Sequence, residues 1–352
     1  MSKKENLRLS SILIRWYEEN KRDLPWRDTV DPYIIWISEV ILQQTRVDQG
    51  LSYFNRFIQR FPAVRDLAEA GEDDVLKLWQ GLGYYSRARN LQAAARMIMD
   101  EFNGIFPAGY KDVLSLKGVG EYTAAAIVSF SYDQPYAVVD GNVYRVLSRI
   151  FAIDTPVDTS KGKKLFSELA QSLLDDARPG LHNQAIMEFG ALQCVPVSPD
   201  CGNCSASFMC MAYAGRNVGA YPVKEGKQKI RDRYFNYFDI RYGEYMYLHK
   251  RTGRDIWQNL YELPLLETEK ELSHDDLGGN KGLGNFFEKD KSLFIKHVRN
   301  IKHVLSHQVI YASFFQVEIN EALTDDKYLR IRVEDAGQYP VSRLVHKYLD
   351  EL

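Results

Sequence analysis

Two carboxylates and four cysteines stand out because each sits where its chemistry is costly unless something uses it. Glu39 lies inside "YIIWISEVILQQT" (33–45), with Ile35, Trp36 and Ile37 before it and Val40, Ile41 and Leu42 after it. An unpaired carboxylate among apolar side chains is expensive to bury and is pushed towards its protonated form. Asp140 stands between Val138-Val139 and a helix-like run in "AVVDGNVYRVLSR" (137–149). An Asp just before a helix is commonly an N-cap, a position that favours its ionised form. One carboxyl kept neutral and one kept charged is the arrangement that glycosidic cleavage uses. The first protonates the leaving group and the second stabilises an oxocarbenium-like sugar.

The chain has four cysteines, Cys194, Cys201, Cys204 and Cys210, spaced C-x6-C-x2-C-x5-C. Four thiolates suit a [4Fe–4S] cluster or tetrahedral zinc. Zinc fingers place two close pairs apart, whereas here one close pair sits between two looser cysteines, which suits one cluster wrapped in a single loop. Zinc and unliganded thiols are the alternatives, and a bound cluster could serve only to staple the loop.

"LKGVGEYTAAAIVSF" (116–130) reads as a helix, a tight glycine hairpin and a second helix. Gly118 and Gly120 let the backbone come close to a ligand, and the free N–H groups of the following helix can hold an anion such as a DNA phosphate. A plain turn between two helices explains the same residues without function. Arg22 and Arg27, flanking "DLPW" (23–26), are candidates for phosphate or base contacts, although surface arginines are usually just solvated.

The elements that must position these residues are helical as far as about residue 215. Apolar residues recur at helical spacing over 5–20, 31–44, 48–60, 72–80, 86–102, 121–131, 141–151, 161–175 and 180–193. Several breaks carry glycine, as in "GLGYY" (81–85), "KGVGEY" and "DGN". After the charged stretch "YPVKEGKQKIRDR" (221–233) the pattern becomes strand-like at 234–242, 244–251 and 309–319. A long loop is expected over 273–292 and a helix in "VSRLVHKYLDEL". No internal repeat is visible. The expected organisation is therefore an all-α domain, 1–222, with the cysteine loop at 194–210. A linker (223–233) and an α+β domain (234–352) follow.

The 352-residue composition is that of a soluble globular protein, with 45% apolar and 26% charged residues. No run approaches the roughly 18 apolar residues of a membrane span, and the N-terminus lacks a signal-peptide apolar core. The net charge is −2, and residues 1–225 hold 25 Lys and Arg against 27 Asp and Glu. A nucleic-acid partner would therefore have to be held by a few placed groups and not by a general positive field.

Four motifs in order, "SEVILQQTRV", "GLGYYSRARN", "LKGVGEYTA" and "VVDGNVYRVLSR", followed by the four cysteines, resemble the endonuclease III or helix-hairpin-helix superfamily of DNA glycosylases. Within it the chain resembles the adenine DNA glycosylases, strongly over about 20–225. The resemblance implies a helix-hairpin-helix glycosylase domain with a [4Fe–4S] cluster on Cys194, Cys201, Cys204 and Cys210. It implies a monofunctional enzyme that removes adenine mispaired with 8-oxoguanine or guanine in double-stranded DNA, in base excision repair. Glu39 would protonate the base at N7 and Asp140 would stabilise the C1′ centre. Tyr122 and Asn142 would support them. Gln44 and Tyr84 would wedge into the stack beside the lesion. In the strand-cleaving relatives a lysine stands at the position of Tyr122. Lys117 stands where the family often has proline.

In the C-terminal part, "DIWQNLYELP" (255–264) resembles a signature of the Nudix-type domain appended to such glycosylases. The Nudix catalytic cluster of glutamates is missing, so the domain is expected to recognise the lesion and not to hydrolyse anything. Ser306 and His307 in "HVLSHQ" match a loop that checks for 8-oxoguanine, with Leu305 where the pattern has phenylalanine; a polar loop at a strand edge is the plain alternative. A monomeric, cytoplasmic, bacterial, nucleoid-associated protein without membrane contact completes the expectation. Two alternatives remain. One is a bifunctional glycosylase/lyase for oxidised pyrimidines; the other is a DNA-binding module that scans through a redox-active cluster.

Overall fold

The computed structural model describes residues 3–226, 230–272 and 292–351. It divides into two compact units. The first comprises Met1–Glu69 and Ala93–Gly226, and the second comprises Ala70–Gln92 and Lys227–Leu352. Most of the loop expected over 273–292 lies outside the described residues.

The first unit is helical. Its elements are α1 (Lys3–Asn20), α2 (Pro32–Leu42), α3 (Val47–Arg60) and α4 (Val64–Glu69). The C-terminal part of α6 (Ser86–Glu101) follows, then α7 (Tyr110–Ser115), α8 (Glu121–Tyr132) and α9 (Gly141–Ile150). α10 (Ser160–Leu173), α11 (Pro179–Leu192) and the short α12 (Met211–Ala214) complete it.

Local chemistry sets the ends that matter. Asp31 caps α2 by accepting from Tyr33 N, and Pro32 starts the helix where its missing N–H costs nothing. Asp140 caps α9 by accepting from Val143 N at 2.7 Å. α11 packs on α1, α8 and α9, and α2 packs on α8. Their shared core includes Leu9, Leu13, Ala126, Val143, Leu147, Phe166 and Phe189, all nearly or fully buried. These elements bring the two acidic positions, one on α2 and one before α9, to one cavity.

The second unit holds a seven-stranded mixed sheet. Its strands are β1 (Arg231–Tyr242), β2 (Tyr245–Lys250), β3 (Tyr261–Glu262), β4 (Leu265–Thr268), β5 (Ser292–Val304), β6 (Gln308–Ile319) and β7 (Tyr328–Arg332). The order is β3-β2-β1-β6-β5, with β4 also on β1 and β7 on β2. β1 and β6 run parallel, in register from Arg231↔Gln308 to Arg241↔Glu318. One face is covered by α13 (Arg343–Leu349), which places Leu344, Val345 and Tyr348 against Phe235, Ile310 and Phe314. The strand at 292–304 starts where the expected loop ends, in a stretch whose pattern marks no strand, and runs into "HVLSHQ". Lys296, His297, Asn300 and Lys302 are exposed on an edge strand, so its alternation of apolar and polar residues is blurred.

Ala70–Gln92 brings α5 (Glu72–Trp79), the "GLGYY" turn and the first turns of α6 into this second unit. Asp73 accepts from Lys250 at 2.7 Å and from Tyr261 at 3.0 Å, and Glu72 accepts from Asn259. Arg89 donates to the Gln258 carbonyl at 2.7 Å. Among the described residues no helix is long and apolar enough to cross a membrane.

Candidate active site and cysteine loop

A cavity of about 680 Å³ in the helical unit is lined by Glu39, Tyr122, Asp140 and Asn142, together with Arg22, Arg27, Gln44, Arg145, Gln184 and Glu188. The structure thus gathers the two carboxylates and their two expected partners in one space. Glu39 is 7% exposed. Its Oε2 accepts a 2.5 Å hydrogen bond from the Tyr122 hydroxyl. Burial pushes the Glu39 carboxyl up to about 7; the Tyr122 hydrogen bond and Arg27 hold it down, while Asp140 adds to the rise.

Asp140 accepts from Val143 N at 2.7 Å and from Asn142 Nδ2 at 2.8 Å. The capping position suggested a depressed carboxyl, but the direction is the opposite. Burial raises it and outweighs the hydrogen bonds from Val143 and Asn142 and the charge of Arg145. The two acids still differ in company. Asp140 has several donors and a nearby cation; Glu39 has one phenol and a more distant arginine.

A third carboxylate in the cavity did not attract notice in the sequence. Glu188 on α11 is 1% exposed and accepts from Arg22 N, Nε and Nη2 at 3.0, 2.8 and 2.7 Å. Arg27 Nη2 donates to it at 2.5 Å. Burial alone would raise this carboxyl, but the two guanidinium groups win and hold it at about 2. Glu188 carries the same signature as Glu39, an acid inside an apolar helix ("NQAIMEFGAL"), so the signal was present. Arg27 Nη1 is buried and makes no hydrogen bond among the described residues.

Arg145 is also a residue that spacing did not mark. Its guanidinium donates to Asn142 Oδ1 at 2.8 Å, Gly190 O at 2.6 Å and Cys194 O at 2.6 Å. Gly190 has no side chain where Asn142 approaches; a Cβ there would lie 2.7 Å from Asn142 Cβ and 3.0 Å from its carbonyl oxygen.

Gln44 follows α2 with φ +60°, in the left-handed region that a non-glycine residue rarely occupies. Its side chain is exposed at the cavity mouth. The hairpin before α8 places Gly118 at φ +77°, and Gly120 leaves open space beside its backbone. In the second unit Tyr84, at φ +48° and 48% exposed, donates to the Ser306 hydroxyl at 3.2 Å. Ser306 also lies 3.2 Å from His307 Nδ1. Leu305 packs into the sheet core and does not project as a free wedge.

The four cysteines surround one pocket with Ile150, Phe189 and Ala206. Among the described residues no three ligands converge on a point as a single metal ion requires. Burial lifts the Cys204 thiol to about 11 and also raises those of Cys201 and Cys210. Two buried arginines, Arg145 and Arg149, flank Cys194, with Arg149 Nη1 3.4 Å from its Sγ. No carboxylate forms an ion pair with either among the described residues. Arg145 has the Asp140 carboxylate near it, but a buried cation such as Arg149 still needs a counter-charge, and thiolates on a cluster would supply it. The donor set therefore fits a [4Fe–4S] cluster.

Residues 37–172 match the HhH-GPD superfamily of base excision DNA repair proteins, and residues 236–351 match a NUDIX domain. An adenine DNA glycosylase of Buchnera aphidicola subsp. Schizaphis graminum is 37% identical over 339 residues, covering 96% of this chain and 97% of that protein. The chain belongs to the adenine DNA glycosylase family. It is accordingly a DNA glycosylase, a hydrolase of N-glycosyl bonds. The Homo sapiens adenine DNA glycosylase is 46% identical over 210 residues, which is 57% of this chain and 38% of the human protein. Among solved structures, a thermostable thymine-DNA glycosylase aligns with TM-score 0.56 at 29% identity, covering 60% of this chain and 98% of its own. An endonuclease III–DNA complex aligns at 20% identity and TM-score 0.53, covering 61% of this chain and 98% of its own, a likeness of fold.

Proposed function

We propose that this glycosylase hydrolyses the N-glycosidic bond of adenine opposite 8-oxoguanine or guanine in double-stranded DNA, without cutting the strand. The observation that carries this reading is the Glu39–Tyr122 hydrogen bond facing Asp140 in one cavity, with Glu39 near pKa 7. Protonated Glu39 donates its proton to adenine N7. The C1′–N9 bond then breaks with its electron pair going to the base, and Asp140 stabilises the positive sugar. Water adds at C1′, and its proton passes to the Glu39 carboxylate. Tyr122 orients Glu39, while Asn142 and Arg145 orient Asp140.

The base must leave the stack to reach the cavity. Arg27, Gln184 and the Glu188 carboxylate line the space that would receive it. The Gly118–Gly120 hairpin would hold a backbone phosphate, and Gln44 and Tyr84 would support the opened duplex. Ser306 and His307 would read the opposite base, since 8-oxoguanine differs from guanine by an N7–H donor and an O8 acceptor. The second unit is then a recognition module. We assign residues 1–222 to the catalytic domain, 223–233 to the linker and 234–352 to this module, in a monomer working in the bacterial cytoplasm.

No lysine lines the cavity among the described residues, and Tyr122 takes the place where a lyase carries its nucleophile. This supports monofunctional hydrolysis. The cysteine loop fits a [4Fe–4S] cluster, which when bound supplies four iron–thiolate bonds and no step of the hydrolysis. The test is a duplex carrying adenine opposite 8-oxoguanine. Free adenine and an alkali-labile site are expected, with no borohydride-trapped adduct. Absence of both products ends the reading, and a trapped adduct replaces it with the lyase alternative.

A further inference from the structure

Among the described residues Arg149 is a heavily engaged buried cation of the helical unit, and the hydrolysis leaves it without a task. Its side chain, 2% exposed, reaches two stretches of chain that are far apart in sequence. On one side Nη1 and Nη2 donate to Val195 O at 2.7 Å and Pro196 O at 3.0 Å, inside the cysteine loop. Nη1 also lies 3.4 Å from Cys194 Sγ, and Cys210 Sγ lies 3.4 Å from the Arg149 carbonyl oxygen. On the other side Nε donates to Val218 O at 3.2 Å and Tyr221 O at 3.3 Å, where the chain leaves the cysteine loop for the linker.

The next residues are held in turn. Val157 N donates to Val223 O at 3.0 Å. Asp158 then closes the run, its two carboxylate oxygens accepting from Glu225 N and Gly226 N at 3.0 Å each. These two amides hold the Asp158 carboxyl below its ordinary range. The start of the linker is thus fastened from Tyr221 to Gly226.

We propose that Arg149 is a positioning residue that joins the cysteine loop and the linker into one structural unit, with Asp158 as the outer latch. The linker then leaves the catalytic unit from a fixed place only while the loop is folded around its cluster. A flat guanidinium suits this task, since its fork of donors serves both stretches at once, which the point charge of lysine cannot do. Losing the latch as far back as Val223 lengthens the tether to β1 from about five residue steps to about eight, a reach of roughly 17 Å against 28 Å. The local concentration of one module at the other scales as about the −3/2 power of tether length, so the step from five to eight lowers it about twofold. The inference gives a hydrolase a reason to keep a cluster that its chemistry does not use. Its consequence for DNA rests on the function proposed above, but its structural core does not.

Amide exchange on the DNA-free holoenzyme tests that core. In Asp158→Ala the amides of Glu225 and Gly226 should exchange about tenfold faster or more, with the cysteine loop unchanged. In Arg149→Lys the amides of Val157, Glu225 and Gly226 and those of the cysteine loop should all speed up together. If Arg149→Lys does not fold, the wild-type protein after oxidative loss of its cluster should show the same joint acceleration. Loosening of the loop with unchanged linker amides, in either preparation, overturns the proposal. A second readout is single-turnover adenine release by Asp158→Ala, which should proceed at the wild-type rate while duplex affinity falls about twofold. A drop in the chemical rate with normal affinity would count against a positioning role.

Discussion

Replacing Tyr122 by phenylalanine isolates the one hydrogen bond that opposes the burial of Glu39. The hydroxyl donates to Glu39 Oε2 at 2.5 Å, and the ring packs against the helical core, so the variant keeps the packing and loses the donor. A hydrogen bond to an ionised group contributes about 1.5–3 kcal/mol. At about 1.4 kcal/mol per unit, its loss raises the Glu39 carboxyl by about one to two units. Starting from about 7, the variant should titrate near 8–9. If protonated Glu39 is the acid, the alkaline limb of the rate profile must follow it upward. At pH 8 only about a tenth of wild-type Glu39 is protonated, against half or more in the variant. Single-turnover release of adenine, with enzyme in excess, measures the chemical step from pH 5.5 to 9.5. The plateau can fall through lost orientation, but the midpoint carries the test. A midpoint that stays in place or moves downward would refute the assignment of Glu39 as the acid and of Tyr122 as the group that tunes it.

Glu39→Gln should slow adenine release by about 10²–10⁴-fold while duplex affinity persists. The same variant should be the more stable protein at pH 8. Folded Glu39 binds a proton up to about pH 7 and the unfolded residue only up to about 4.5, so stability falls as pH rises through that window, by about 3 kcal/mol in all. Equal denaturation midpoints for variant and wild type at pH 8 would contradict this. Gly190→Ala should cost about tenfold to a hundredfold in release rate, because the new Cβ must displace Asn142 and with it Asp140; an unchanged rate in a folded variant would show the helix yielding elsewhere. His182 is buried beside Ser10, and burial lowers it to about 4. The unfolded chain takes up that proton near 6.5, so stability should decline from pH 6.5 towards 4 by about 3 kcal/mol. His182→Gln should flatten the decline in urea titrations, and an undiminished slope would assign it to other groups.

The sequence revealed the catalytic candidates through conflict between residue type and pattern. Glu39 and Asp140 interrupt apolar runs, and both reach the same cavity. Glu188 interrupts α11 in the same way, but its partners Arg22 and Arg27 lie more than 160 residues earlier, and no local spacing joins them. Arg145 and Arg149 look like surface residues of an amphipathic helix. Only the packing of α9 on α11 and the cysteine loop makes them buried cations. In the second unit β1, β2 and β6 were visible as alternating or aromatic runs. β5 was hidden by its exposed charges, which an edge strand tolerates because one side meets solvent. The placement of Ala70–Gln92 beside the sheet depends on ion pairs such as Asp73–Lys250, which the helical pattern of that segment does not encode.

Burial alone does not decide what an acid does in this cavity. Glu39 and Glu188 are both nearly inaccessible, yet one titrates near 7 and the other near 2. The difference is the counter-charge. Glu188 receives two guanidinium groups and a backbone amide, and Glu39 receives one neutral phenol. Arg27 belongs to both balances: it binds Glu188 directly and lowers Glu39 from a distance. A base entering the cavity displaces water from around Glu39. The loss of water favours the protonated carboxyl, while Glu188, clamped by its arginines, stays charged. Binding would thus strengthen the acid in the proposed reaction without disturbing the fixed anion beside it. Two glutamates from similar apolar helices can serve opposite roles because the arginines stand next to only one of them.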